Sequence, residues 1–509
     1  MTRPRVAMLV ANDITRDSRV QKAAYSAAEA GFEVLLLGYD PNTPATPAGS
    51  PAEVTYIGAA RVVRTGLSNR FRIRSARYAG STAPADRARA GALRAASFAV
   101  GVDYKVRRRL MKSVKEPGTG GPGVKAKAKE TLWKVYIRGG DWRRTARHLL
   151  LLEDAWSALV EEFRPDVIHA HDMHTPGIGV RIADRVARRG GTRPKVVYDA
   201  HEYVDGVHMP TQRKLAYTGL EREFVRRADA VATVSPTLAA MLQDKYGLPE
   251  RPTVVANAPM TGLPRDAAQE AGPGLRDVLG LGADVPLLVY SGAVSPARGV
   301  DVMVEALPLL PGVHAVVVCG DQGDPYVRSL VARAGEIGAA GRLHTAPYVA
   351  PHRVPEFLAS ASVGVIPILH TVNHEIALIT KYYEYMHARL PLVVSDVTAM
   401  ADKTAELRCG EVFPVRATGD ADDARLRGRD AKAFAEAVGK VLADRAGYAA
   451  AYDEALLAEN SWEGQAAVLV GLYARLVGRT PEPRPGRRPF AETAVEPAPA
   501  PGRSSAIPA

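Results

Sequence analysis

Five short stretches of the sequence gather residues able to bind or move charged groups. The first is Ser291-Gly292-Ala293-Val294-Ser295-Pro296-Ala297-Arg298-Gly299. Small residues let a backbone approach a ligand, and a helix start offers unpaired N–H groups and a positive dipole end. Arg298 adds a planar fork suited to phosphate oxygens. Gly292, Arg298 and Gly299 thus form a candidate diphosphate cradle, against the plainer alternative of a tight turn with a solvated arginine. The pattern matches neither the Walker A loop nor G-x-G-x-x-G, so ATP and NAD gain no support.

The second stretch is Asn373-His374-Glu375-Ile376, followed by Thr380-Lys381-Tyr382-Tyr383-Glu384-Tyr385-Met386 at a helix start. Lys381 and Glu384 lie three apart, hence on one helical face. A lysine near a helix N-terminus opposes the dipole, which favours an anionic partner there. Glu384 can accept two hydroxyl hydrogen bonds, as a ribose diol offers. The alternative is a surface ion pair of little energetic weight.

Three more stretches end or follow expected strands. His169-Ala170-His171-Asp172 places both histidines on one side of a strand by alternation. His-x-His suits zinc, but no third ligand is evident; His169 reads as a core residue, and His171, nearer the strand tip, as a sugar contact. Asp199-Ala200-His201-Glu202-Tyr203 offers a base or hydrogen bonds for an acceptor hydroxyl, or a polar brace for the sheet. Asn12-Asp13-Ile14-Thr15-Arg16-Asp17-Ser18-Arg19 supplies a helix cap at Asp17 or Ser18, with Arg19 placed to face a phosphate. On the acceptor side the candidates are therefore Arg19, Asp172, His201 and Glu202.

The elements that position these residues alternate in type. Apolar runs at 5–12, 32–39, 166–171, 196–201, 230–235 and 253–257 read as buried parallel strands separated by helical periods. A Gly/Pro/Ala-rich stretch at 259–282 reads as a linker. A second series of strands follows at 285–291, 313–319, 342–345, 363–368 and 392–395. Two βαβ series predict an α/β chain of two Rossmann-like, doubly wound domains facing across a cleft, with ligands at the carboxyl ends of the strands. The expected boundaries are 1–265, 283–440 for the nucleotide-binding domain, and terminal helices at 441–478 returning toward the first domain. A Pro-rich tail at 479–509 is expected to be disordered.

Charge is concentrated. Residues 61–150 hold 23 Lys/Arg against 5 Asp/Glu, a net of +18, while the other 419 residues net −7. This reads as a basic insertion, with anionic lipid headgroups the leading partner and a solvated insertion or another polyanion the alternatives. No known nucleic-acid module accompanies it. Two cysteines exclude a disulfide scaffold, and no apolar run reaches the eighteen or so residues of a membrane span. The apolar run at 6–11 is too short for a signal peptide. The expected setting is cytoplasmic, with a peripheral place at the inner face of the membrane.

The two-domain layout, S-G-A-V-S-P-A-R-G-V-D, K-Y-Y-E-Y-M and the closing Ser461-Trp462-Glu463 together resemble glycosyltransferase family 4, of the GT-B fold. N-D-x-x-x-D-S-R-V, V-Y-D-A-H-E-Y and V-S-P resemble members acting on cell-surface polysaccharides or glycolipids. The resemblance covers 1–60 and 151–478 and implies a hexosyltransferase that retains anomeric configuration, takes a nucleotide-diphosphate sugar, and needs neither metal nor cofactor. It implies Glu384 on the ribose, Arg298 with Thr380 and Lys381 near the phosphates, backbone approach at Gly292, and His171 on the donor sugar. Three positions depart from the family pattern. Ala293 replaces an arginine. Ile376 stands where a second glutamate is usual, leaving the adjacent Glu375, together with His171, as the catalytic candidates. Arg389 replaces a glycine. A sugar-nucleotide epimerase and a catalytically weakened, membrane-associated sugar-nucleotide-binding protein remain as alternatives.

Overall fold

A computed structural model of the chain describes residues 3–15, 17–43, 54–78, 80–113, 141–261, 272–350, 353–376, 378–417 and 423–483, with the side chains of 110–113 left aside. The Gly-rich loop at 118–123, the basic run at 125–129, residues 262–271 of the expected linker and the tail from 484 lie outside the described residues. The chain divides into two compact units. One comprises 1–234, 239–255 and 466–509; the other comprises 235–238 and 256–465.

The first unit is built on an eight-stranded sheet. Its strands are β1 (Arg5–Leu9), β2 (Glu33–Tyr39), β3 (Val54–Ile57), β4 (Ala60–Thr65), β5 (Val167–His171), β6 (Lys195–Ala200), β7 (Ala230–Thr233) and β8 (Thr253–Val254). The order is β3-β4-β2-β1-β5-β6-β7-β8, parallel except for the β3–β4 hairpin. The central strands are buried along almost their whole length because helices cover both faces. The helix Arg147–Phe163 buries Leu149, Leu152, Trp156 and Val160 at helical spacing against this sheet. The chain runs from β1 out through β2 and returns to lay β5 on the other side of β1. The carboxyl ends of β1 and β5 therefore flank a switch point, where open sheets leave room for ligands.

The second unit repeats this plan with six parallel strands: β9 (Leu287–Ser291), β10 (His314–Cys319), β11 (Leu343–Pro347), β12 (Val363–Ile366), β13 (Leu392–Ser395) and β14 (Gly410–Phe413). Their order, β11-β10-β9-β12-β13-β14, puts the switch point between β9 and β12. Gly299, at φ +63°, lies so close to the Pro367 carbonyl that a Cβ would sit 1.9 Å from its oxygen. Glycine is obligatory there, and it brings the loop after β9 against the end of β12.

Several elements differ from the sequence expectation. The hairpin β3–β4 extends sheet pairing to Thr65, inside the stretch read as an insertion, because β4 buries Ala60, Val62, Val63 and Thr65 while Arg61 stays exposed and Arg64 half-buried. The helix Thr398–Leu407 and β14 were not anticipated; four residues beginning with glycine give too little periodicity. The helix expected over 299–310 is α-helical only at Val300–Ala306 and tightens to a 3-10 turn at Leu307–Leu309, where Pro308 cannot donate to the ladder.

Candidate functional site

Each unit carries its chemistry-bearing residues at the carboxyl ends of its strands. In the first unit they converge on Asp199, the fifth residue of β6. Arg19, in the first turn of the helix Ser18–Glu29, forks this carboxylate: Nε donates to Oδ2 at 3.0 Å and Nη2 to Oδ1 at 2.8 Å. Its Nη1 donates to the Val255 carbonyl at 2.6 Å. Both partners are almost wholly buried. Three imidazoles surround the same carboxylate: His201 at 3.1 Å, His171 at 3.3 Å and His169 at 3.6 Å. The rings of His169 and His171 lie 3.9 Å apart, as strand alternation requires. His169 Nδ1 also meets the hydroxyl of Tyr473 at 2.5 Å.

These contacts sort the protonation states. Burial pushes Asp199 up, but Arg19, then His201, His169 and His171, outweigh it and hold the carboxyl well below its usual range. Burial, with His169 beside it, drives His171 well below the usual imidazole value. Burial likewise lowers His169. His201 is lowered by burial but raised more by Asp199, so of the three imidazoles it is the one whose protonated form is favoured. Asp172 stands at φ +63° and accepts from the Met173 N–H at 2.7 Å, with His174 Nδ1 at 3.0 Å. His174 holds it low despite burial. Glu202 is exposed at the end of the same loop.

Asp199 supplies the third candidate ligand that the sequence did not reveal: with His169 and His171 it brings three atoms able to ligate a metal within 4.8 Å of one another. The guanidinium of Arg19 already occupies both carboxylate oxygens, so a divalent ion at this point competes with a buried cation. The same fork turns Arg19, expected to face a phosphate, into the cluster's own counter-ion.

In the second unit the loop after β9 and the helix Thr380–His387 meet. Gly292 has φ +135°, and a Cβ on it would lie 3.0 Å from Nζ of Lys381. The Lys381 amine is buried 3.5 Å from the centroid of the Tyr290 ring. It finds no hydrogen-bond partner among the described residues. Burial, and then the positive charge of Arg298, push it well below the usual lysine value, against the opposing pull of Glu384. Arg298, Lys381 and Glu384 are therefore electrostatic neighbours, as their sequence positions led one to expect. The helix start has no side-chain cap at Ile379, so its first N–H groups remain available to an anion. Thr380 Oγ1 accepts from Asn257 at 3.1 Å.

Two residues of the same region follow a different pattern. Glu375 is engaged on both oxygens: Oε1 meets His370 at 2.6 Å, and Oε2 accepts from the Thr398 N–H at 2.8 Å and hydroxyl at 2.9 Å. It caps the helix Thr398–Leu407. Beside it, His374 meets the Leu369 carbonyl through Nδ1 at 2.6 Å, which makes Nδ1 the donor and leaves Nε2 as an acceptor. Burial lowers His374, and Arg298 adds to the effect. His374 and Tyr290 were not singled out from the sequence. His374 stood inside a quoted motif, but the Tyr290 ring needed the sheet to bring it to Lys381. Arg389, where the resembled family has glycine, adopts φ +53° after the helix and is held by the Tyr452 carbonyl at 2.5 Å and by Glu454.

Comparison with known proteins agrees with this layout. The family model described as glycosyl transferase 4-like domain matches residues 113–258, and that described as glycosyl transferases group 1 matches 285–444. The first match reaches back into the basic stretch, which the sequence resemblance had left out. A D-inositol 3-phosphate glycosyltransferase of Xylanimonas cellulosilytica is 30% identical over 223 residues, 43% of this chain and 49% of that protein. One of Acidothermus cellulolyticus is 28% identical over 295 residues, 54% of this chain and 59% of that protein. The chain thus spans about half the length of the curated relatives it matches. A sucrose-phosphate synthase from Thermosynechococcus elongatus superposes with a TM-score of 0.61 at 17% identity, covering 94% of this chain and all of that one. An E. coli trehalose-6-phosphate protein bound with UDP-2-fluoro glucose gives 0.57 at 14% identity, over 94% and 100%.

Proposed function

The chain belongs to the GT-B glycosyltransferases of the family 4-like type, and from that premise we propose that it moves a hexose from a nucleotide-diphosphate donor to a glycan or lipid-linked acceptor, with retention at the anomeric carbon. The observation that carries the reading is Lys381: a buried amine without a hydrogen-bond partner, beside Arg298 and a helix start, is costly unless an anion completes it. A diphosphate supplies that charge. Glu384, on the same helical face, takes the ribose hydroxyls.

In the transfer the bond from the sugar's anomeric carbon to the diphosphate oxygen breaks, and its electron pair leaves on the phosphate. The acceptor oxygen bonds to the same carbon, and its proton passes to the departing phosphate oxygen. No protein base is required for that balance. Arg298, Lys381 and the helix N–H groups stabilise the charge growing on the leaving group, and because they are fixed in advance they need little reorganisation. Gly292 lets the phosphates approach the backbone. The first unit is assigned to the sugar and acceptor, with His171, Asp172, His201 and Glu202 as the groups that meet hydroxyls. Cell-surface polysaccharide or glycolipid synthesis is the setting that fits a lipid-linked acceptor.

Uridine, guanosine and adenosine diphosphate sugars screened by thermal shift test the donor site. One of them should raise the melting temperature of the wild-type chain. Glu384→Ala should abolish both that shift and transfer while the circular dichroism stays unchanged. Full donor affinity and rate in Glu384→Ala would sink the assignment.

A further inference from the structure

The helix Pro84–Ser113 carries an outward face that the donor chemistry does not use. Phe98, Val102 and Val106 recur every fourth residue, which stacks them along one side of an α-helix. They are 74%, 43% and 42% exposed, unusual for large apolar side chains at regular spacing. At 100° per residue Arg87, Arg94 and Lys105 flank this stripe, Arg109 falls within it, and Arg108 lies beyond its edge; all five are exposed. The two carboxylates of the helix point elsewhere. Asp86 accepts from Ser81 at 2.8 Å, and Asp103 is held by Arg107 at 2.9 Å and Arg147 at 3.2 Å. The neighbouring helix Arg70–Ala76, joined through Asn69 to Ser97 at 3.1 Å, extends the basic surface with exposed Arg70, Arg72 and Arg74.

We infer that this face docks on an anionic glycerophospholipid surface, with Phe98 inserted below the headgroups and the arginines and lysine above them. Charge complementarity chooses the partner: the face is basic and free of carboxylates. The apolar stripe separates a membrane from a nucleic acid, because valines at positions 102 and 106 gain from hydrocarbon and gain nothing from phosphate or base edges. Long basic side chains beside apolar ones suit the interface, where their stems lie along hydrocarbon and their heads reach the phosphates. The inference goes beyond the donor site and stands on the helix alone.

The full chain is sedimented with sucrose-loaded vesicles, either phosphatidylcholine mixed with phosphatidylglycerol or phosphatidylcholine alone. It should pellet only with the first, and salt should release part of it as the headgroup attraction is screened. Phe98→Ala should weaken vesicle binding about tenfold, the order expected for losing one buried aromatic ring. Arg94→Glu combined with Lys105→Glu should weaken it at least about twentyfold, given the attraction per basic residue near such a surface. All three positions are exposed, so melting curves should stay at the wild-type value, and nucleotide-sugar binding should be unchanged. Equal pelleting with neutral vesicles, wild-type binding by both variants, or displacement from vesicles by a small excess of single-stranded RNA would overturn the inference.

Discussion

The two units present opposite electrostatic problems at equivalent places in their sheets. Around Asp199 every charge has an answer: one buried carboxylate faces a guanidinium and three imidazoles. Around Lys381 a desolvated amine lies against the Tyr290 ring and next to Arg298, with Glu384 the carboxylate that opposes them among the described residues. The buried Arg19–Asp199 pair fixes geometry, and the ring nitrogens of His169 and His171 that have no hydrogen-bond partner among the described residues can meet a hydroxyl without a change of net charge. An unsatisfied cationic pocket stores unfavourable energy that a polyanion relieves. The same strand-end position can thus serve as a rigid scaffold in one unit and as a charge receptor in the other.

That contrast can be broken by experiment. The largest effect is expected on stability in the first unit. Asp199→Asn leaves Arg19 buried against a neutral amide and should cost about 3–5 kcal/mol, the usual penalty for stranding one member of a buried pair. Urea unfolding measures it; a loss under 1 kcal/mol would mean that water or local relaxation already answers Arg19.

Lys381→Met should act the other way. Removing a buried amine that has no hydrogen-bond partner among the described residues should leave stability unchanged or raised, while nucleotide-diphosphate affinity falls by about 3 kcal/mol, roughly a hundredfold, the upper range for a charge-assisted contact. The pH dependence sharpens this. Without ligand, burial and Arg298 depress the amine; a bound diphosphate restores its charge, so binding takes up a proton. Affinity should therefore fall as pH rises above the free amine's depressed value. Calorimetry in buffers of different ionisation enthalpy reads that uptake, and a proton count of zero at every pH would remove Lys381 from the anion site.

The smallest effect belongs to Glu375. Its carboxylate caps a helix in the second unit, so Glu375→Ala should cost about 1 kcal/mol of stability. Transfer should drop only modestly. A collapse of activity at unchanged stability would restore Glu375 to the reacting sugar and count against its reading as a cap.

Much of this was legible beforehand because it is local. The i,i+3 spacing of Lys381 and Glu384, the alternation of His169 and His171, and the glycine at 299 are set by helical, strand and turn geometry, which sequence distance controls directly. The double βαβ pattern gave the fold for the same reason. Glu375 shows the limit. Its neighbours in sequence suggested catalysis, yet its partners are His370 and Thr398, the second lying 23 residues away. Tyr473 reaches His169 across 304 residues, and no period in the chain could announce that.

The amino-acid order alone determined which residues share a strand face or a helical turn, that strands and helices alternate in two series, and where the positive charge is concentrated. Only the tertiary structure decided which of those charges are answered. Desolvation and ion pairing depend on what lies within a few ångströms in space, and the parallel sheets bring together side chains far apart in sequence. That is why Arg19 is paired as a counter-ion while the Lys381 amine is left without a hydrogen-bond partner among the described residues.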